Sequence, residues 1–495
     1  MISTALWVLA ALGVAALAAR WIGRRGLAAL EGELGARPKV RPVEIVHTLT
    51  GIPLRQLLLT MQRAAHGRPA IVPMQPPLRR SWLEEVRFDP ATLHPPARSP
   101  SPPTRLATVL GPRAKRPLVL EFPVVLAGMG WGLAVSSAVR QALAEASTQA
   151  GIALSSGEGP VLALERAVAH RWIWQWSRAT WRRPPAAARV ADMIELQVGQ
   201  ASEGGIRITR SRRSLNSPNR RRLPSPGPLR IRAGLPVPLA TRVRRARLAG
   251  GGCPVAVKIP ASHHVESDVA RLVALGVDVV TLDGAGAGTS GSPAVLADHQ
   301  AVPVAVGVAR AHRWLVRQGL RDRVSLLASG HVHGAADIGK LLALGADAVA
   351  VGSVALVALM HGQATRLLPA LGPTGLVFDL PAGRPRKFDR DLGAERLTAW
   401  LEATRAELAL LCQSLGVRGV GALAPRHLVA DTVEAQRALG VSWYGQSGDD
   451  VGAAWCAWTR DALGELRRGL AVWSRLLLLL ERGVPERAPA PSRSG

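Results

Sequence analysis

Two strand ends in this sequence carry residue types that can seat an anion. The stretch "ASGHVHGAADIGKLLALGADAVAVGS", residues 328–353, reads as the end of one buried strand, a glycine turn, a helix, and a second buried strand closing on another glycine turn. If those strands are parallel neighbours, Ser329-Gly330 and Gly352-Ser353 stand side by side at their carboxyl ends. They would offer backbone N–H groups and hydroxyls to a phosphate. The plain alternative is that both glycines only permit tight turns, and this stretch alone leaves the two readings open. Lys258, in "PVAVKIP", is a second candidate: it is one of few lysines in an arginine-dominated chain and sits inside a buried strand pattern. A cation there needs an anionic partner to offset its burial, whereas the bland reading is a lysine snorkelling to the rim of the sheet.

Such residues need elements to hold them. Strand patterns ending in Gly or a polar residue occur at Pro117–Gly132, Ile152–Gly159, Asp192–Gly199, Pro254–Pro260, Val277–Gly284, Val324–Gly330 and Asp347–Ser353. Helical patterns separate most of them, as at Ser136–Ala150, Val265–Leu275 and Ala335–Leu344. This alternation predicts an α/β fold with a parallel sheet, and about seven strands over the span favour a closed (β/α)8 TIM barrel.

The sequence divides accordingly. Residues 1–25 are read as a transmembrane anchor, 26–116 as an N-terminal arm with one helix at Pro53–Ala65, 117–385 as the barrel, and 386–495 as a C-terminal helical extension with helices at Leu392–Leu415 and Val451–Leu480. The anchor reading rests on Ile2–Ala19, apolar apart from Ser3 and Thr4, followed by Arg20, Arg24 and Arg25. Charge after the apolar run favours a single-pass cell-membrane protein with a cytoplasmic catalytic domain over a cleaved signal peptide, although "ALAA" offers small residues for cleavage. Within the barrel, 206–252 is an Arg-rich insertion without an acidic residue, read either as a solvated loop or as a surface for anionic headgroups.

Composition narrows the classes. A chain of 495 residues can bury a sizeable core, and its formal net charge of +27 is carried mainly by Arg, as a GC-rich genome alone would also produce. No specific nucleic-acid partner is expected. Cys253, Cys412 and Cys456 are scattered, which excludes a disulfide framework and a zinc-type spacing, so no metal site is expected.

In order and spacing, "PLVLEFPVVLAGMGWG", "SSGEG", "DMIELQVGQ", "VAVKI", "LDGAGAGTSGSP", "GLRDRV" and the 328–353 stretch resemble the FMN-binding synthase domain of glutamate synthase, particularly its stand-alone form. The likeness covers about Pro117–Ala358. It implies a TIM barrel with FMN at the carboxyl face, and an FMN-dependent oxidoreductase acting on CH–NH2 donors. That family's flavin reduces the imino acid formed from 2-oxoglutarate and ammonia. Carried over by position, Gly128, Met129 and Gly130 would pass their backbone along the flavin ring, Gln197 would face the flavin, and Lys258 would stabilise its anionic reduced form. Glu158 matches a carboxylate on the substrate side, Thr289 lies in the glycine-rich loop lining the same face, and Ser329, Gly330, Gly352 and Ser353 would form the phosphate site.

The resemblance fails at specific points. The three cysteines that hold a 3Fe-4S cluster in the family are matched here by His361, Leu367 and Gly372, so no iron–sulfur cluster is expected and the electron donor is unidentified. A lysine is lost where "GAKPGEGG" shortens to "ASEGG", and Thr180 replaces an arginine, which removes two cations suited to a dicarboxylate. With no N-terminal cysteine nucleophile, ammonia is expected from solution or another chain. The substrate expected is a small 2-oxo acid or amino acid. The alternative is a non-catalytic, membrane-anchored barrel acting as a flavin-binding or scaffolding module.

Overall fold

The computed structural model describes residues 71–72, 80–90, 104–132, 134–179, 181, 185–210, 229–231, 237–288, 292–363, 388–445, 459–460 and 463–474. The chain divides into two compact units, Met1–Ile71 and Val72–Gly495; of the first, only Ile71 is described.

The second unit is built on a closed parallel barrel of eight strands. They are β1 (Val124–Leu126), β2 (Ala153–Ser155), β3 (Arg171–Trp176), β4 (Met193–Gln197), β5 (Val255–Pro260), β6 (Val279–Asp283), β7 (Ser325–Ser329) and β8 (Ala348–Val351), each paired with the next and β8 with β1. Helices follow the strands in turn: α1 (Ser137–Gln149), α2 (Ala163–Val168), α3 (Pro185–Arg189), α4 (Leu239–Ala249), α5 (Val265–Ala274), α6 (Val304–Arg317), α7 (Ala335–Ala343) and α8 (Ser353–Leu359). Ser136 caps α1 by accepting the Val139 N–H at 3.3 Å. The helix turns Val139, Ala142, Leu143 and Ala146 inward, the three-and-four spacing that a packed helix needs.

Two apolar layers result. One lies between strands and helices, and the other fills the barrel, where Val125, Ala153, Ile173, Met193, Ala256, Val279, Leu327 and Ala348 meet. An antiparallel hairpin, Thr108–Leu110 with Leu118–Leu120, supplies Leu110, Leu118 and Leu120 to that inner cluster. Each leucine so buried contributes about 1.5–3 kcal/mol. The hairpin also corrects the reading of Pro117–Gly132 as one strand. Pro123 cannot donate to a ladder, and the chain turns there so that Leu118–Leu120 and Val124–Leu126 enter different sheets.

Beyond the barrel, a 25-residue helix, α9 (Arg390–Ser414), packs on α1, α7 and α8. Val86–Phe88 pairs antiparallel with Leu428–Ala430, so part of the N-terminal arm and part of the C-terminal extension share one sheet. The stretch 206–252 is more than a loop: Ile208–Arg210 pairs with Leu229–Ile231, and Leu239–Ala249 is the barrel helix α4.

The membrane expectation is corrected. No helix among the described residues is long and apolar enough to cross a membrane. The segment Ile2–Ala19 and the helix expected at Pro53–Ala65 lie outside the described residues. A single-pass anchor, a membrane partner and the cell-membrane location are therefore not carried further.

Candidate functional site

Inward positions of the barrel change character along the strands. On β4 the inward series runs Met193, Glu195, Gln197, on β5 Ala256 then Lys258, and on β6 Val279, Thr281, Asp283, apolar at the amino end and polar toward the carboxyl end. Lys258 is laterally paired with Gln197 on one side and Thr281 on the other, and lateral neighbours share a face.

The polar groups of this layer are specified by one another. Lys258 Nζ lies 3.0 Å from Asp283 Oδ1, and Asp283 Oδ2 accepts the Ala201 N–H at 3.0 Å. Glu195 accepts from Gln175 Nε2 and from Thr281 Oγ1, both at 2.7 Å. Gln197 Nε2 donates to Glu158 Oε1 at 2.5 Å and to Gln200 Oε1 at 3.3 Å. Burial pushes the Lys258 ammonium toward losing its proton, but Asp283, Glu195 and Glu158 around it outweigh that, and its pKa is held above the ordinary lysine value. The lysine is charged.

The loops at the carboxyl ends are held from behind. Arg140 on α1 is fully buried, pairs with Glu165, and donates to Met129 O and Ser155 O at 2.9 Å each, tying the loop after β1 to β2. A Cβ at Gly128 would come within 2.9 Å of Gly157 Cα, and one at Gly130 within 2.6 Å of Gly159 N. Packing of the loops after β1 and β2 thus suffices to require both glycines. Trp181 Nε1 donates to Glu158 O at 2.8 Å and fixes the loop that carries that carboxylate. Arg178 and Glu203, both fully buried, form an ion pair at 3.3 Å; Ser292 Oγ donates to Glu203 Oε1 at 3.1 Å, which joins the loops after β3, β4 and β6.

The residues expected from the sequence are distributed as follows. Gly128, Met129 and Gly130 follow β1, Glu158 follows β2, Gln197 ends β4 and Lys258 lies near the end of β5. Ser329 ends β7 with Gly330 after it, and Gly352 and Ser353 follow β8. Because Ser329 is in register with Ala350, the two glycine turns are neighbours. The structure brings Glu158, Gln197 and Lys258 into one cluster, and it places the two turns together on the same end of the barrel. Thr289 lies outside the described residues, as do Leu367 and Gly372. Asp283, Glu195, Thr281, Gln175, Arg178 and Glu203 were not among the expected site residues. Glu195, Thr281 and Gln175 left a signal, polar residues inside buried strand patterns, whereas Asp283, Arg178 and Glu203 meet their partners only through strands and loops distant in sequence.

These residues fit FMN. Among the described residues no acceptor takes the backbone N–H of Gly330, Gly352 or Ser353. Among the described residues a Cβ at Gly352 would meet only Ala127 Cβ, at 3.6 Å, and none of them fills the space before that turn. Gln197 Oε1 is buried and has no hydrogen-bond partner among the described residues, an acceptor that a ligand N–H would satisfy. Gly330, by contrast, needs to be glycine for the fold: its φ is +115°, and a Cβ would lie 2.9 Å from Gly284 O.

Comparison with known proteins agrees with the sequence. Residues 101–418 match the family model described as "Conserved region in glutamate synthase". The chain is similar to a glutamate synthase large subunit-like protein of Rhizobium meliloti, 30% identical over 68% of this chain and 83% of that one. It is 28% identical to an archaeal glutamate synthase (NADPH) of Methanocaldococcus jannaschii over 64% of this chain, and spans 63% of that relative's length. Among solved structures, a mandelate oxidase variant with a monooxide FMN adduct superposes over 70% of this chain and 88% of that one, with a TM-score of 0.45 and 16% identity, too loosely to carry weight. The chain belongs to the glutamate synthase family.

Proposed function

We propose that the barrel binds FMN across its carboxyl face and reduces an imino acid derived from a small 2-oxo acid and ammonia, as in glutamate formation from 2-oxoglutarate or a close relative of it. The observation that carries this reading is the cluster of buried Lys258, Asp283 and Gln197 at the end of β4, β5 and β6 with half-buried Glu158 after β2, beside two adjacent turns whose N–H groups meet no acceptor among the described residues.

When bound, FMN supplies the two-electron hydride chemistry. The residues do the rest. Backbone N–H groups of Gly330, Gly352 and Ser353 would hold the phosphate with neutral donors. Lys258 would place positive charge against the pyrimidine edge of the ring and favour the reduced anion, and Gln197 Oε1 would accept a ring N–H. Glu158, held through its backbone by Trp181 and through its carboxylate by Gln197, would face the substrate, where it could hold a proton or accept a substrate N–H. His361, Leu367 and Gly372 stand where the resemblance puts the family's cluster cysteines and offer no thiolates there, so electrons would reach the flavin from a donor that does not use such a cluster.

Supplying ammonia, 2-oxoglutarate and a reductant to the flavin-loaded protein, and following amino acid formation, tests the reading. Turnover that Glu158→Gln reduces by a factor of about 100 or more, the range of general acid–base assistance, supports it. Bound FMN with no turnover on any 2-oxo acid would favour the alternative of a flavin-binding scaffold.

A further inference from the structure

Lys258 lies between two carboxylates at different heights in the barrel. Its lateral partner on β6 is Thr281, and Asp283 is two residues further toward the carboxyl end. Its lateral partner on β4 is Gln197, and Glu195 is two residues back toward the core. Both carboxylates are buried, Asp283 at 0% and Glu195 at 4% exposure, and either could pair with a lysine of this reach. The ammonium takes the upper one, at 3.0 Å. Glu195 is occupied: Gln175 Nε2 and Thr281 Oγ1 each donate to one of its oxygens at 2.7 Å.

We infer that Asp283 is a positioning residue, which draws the Lys258 ammonium to the carboxyl end of the barrel, while the hydrogen bonds that Gln175 and Thr281 give to Glu195 make that carboxylate the weaker competitor for the lysine. Asp283 is itself fixed, because its second oxygen accepts the Ala201 N–H from the loop after β4 at 3.0 Å. A carboxylate anchored on one side and paired on the other sets the height of the charge it holds. The consequence for the flavin rests on the FMN reading above; the consequence for the fold does not.

The experiment compares wild type, Asp283→Asn, Lys258→Met and the double variant in the full chain. Asparagine keeps an acceptor for Ala201 and removes only the lysine's anion. Without added flavin, each single variant should melt below wild type and the double variant should recover most of the loss, because Lys258→Met leaves Asp283 without its cation and Asp283→Asn leaves the lysine only Glu195, which Gln175 and Thr281 already engage. Strictly additive losses would overturn the inference. In the flavin-loaded proteins, Lys258→Met should lower the flavin reduction potential when Asp283 is present, by at least the tenfold change in relative affinity that corresponds to about 30 mV for two electrons. The same substitution should have little effect in the Asp283→Asn chain, where the lysine has fallen back to Glu195. An equal fall in both chains would show that Lys258 holds its place without Asp283. Recovery of melting temperature with an equal fall would leave an ion pair and no positioning role. If the wild type takes up no FMN, the functional reading fails, and the melting comparison still decides whether Asp283 holds Lys258.

Discussion

Gly352 and Gly330 look interchangeable in the sequence, yet the structure makes opposite demands on them. A side chain at Gly352 has room among the described residues: its Cβ would touch only Ala127 Cβ, at the ordinary van der Waals distance of 3.6 Å, and φ is −122°. Gly352→Asp should therefore fold, with apo-protein stability within about 1 kcal/mol of wild type. Its carboxylate, however, would stand where the FMN phosphate is proposed to sit. Two unit charges about 4 Å apart repel by ~4 kcal/mol at an effective dielectric of about 20, which is roughly three powers of ten in affinity before the lost backbone contacts are counted. The assay is the flavin content of protein loaded with excess FMN and desalted, read beside the melting curve of the apo form. We expect wild-type melting and no retained flavin. Gly330→Ala should do the reverse, lowering stability by about 1–3 kcal/mol because φ is +115° and the new Cβ would press on Gly284 O. Stoichiometric FMN in Gly352→Asp would refute the phosphate seat.

Other outcomes follow from separate parts of the molecule. Glu203→Gln leaves the fully buried Arg178 without its anion and should cost about 3–5 kcal/mol in denaturant unfolding, while Glu165→Gln should act similarly on Arg140. Burial, with Arg321 and Arg313 nearby, lowers the His312 pKa from 6.5 to about 4. The unfolded chain thus binds the extra proton first, so stability should fall as pH drops from 6.5 toward 4 and level off below; His312→Gln should flatten that window in urea midpoints. Purified protein should contain neither stoichiometric iron nor acid-labile sulfide, given His361, Leu367 and Gly372 at the cluster positions. Iron at three per chain would contradict that expectation.

Much of the barrel could be read in the sequence because strand ends are punctuated by glycine and polar residues. The helices read at Ser136–Ala150, Val265–Leu275 and Ala335–Leu344 differ from the observed ones by one residue, at both ends of the first and at the carboxyl end of the other two. One strand, β3, was missed. "RWIWQW" carries Trp172, Trp174 and Trp176 at alternate positions, a period-two pattern, but it lacks a terminal glycine, and Trp-rich alternation is not the usual look of a parallel strand. Of the candidate site, Lys258 was legible because a lone buried lysine is conspicuous. Asp283 was not, since "LDG" reads equally as a turn. Its role depends on lateral register with β5, and no local pattern encodes which strand lies beside which. The same holds for Arg178 and Glu203, which meet only when the loops after β3 and β4 are brought together.

The central claim is that this barrel holds FMN, and its visible spectrum is the direct measurement. Full-length protein, purified without added flavin and then incubated with FMN and desalted, should show the absorption bands of bound oxidised flavin at one equivalent per chain. Those bands should bleach on two-electron reduction. A colourless protein after that treatment, with an intact melting transition, would contradict the account.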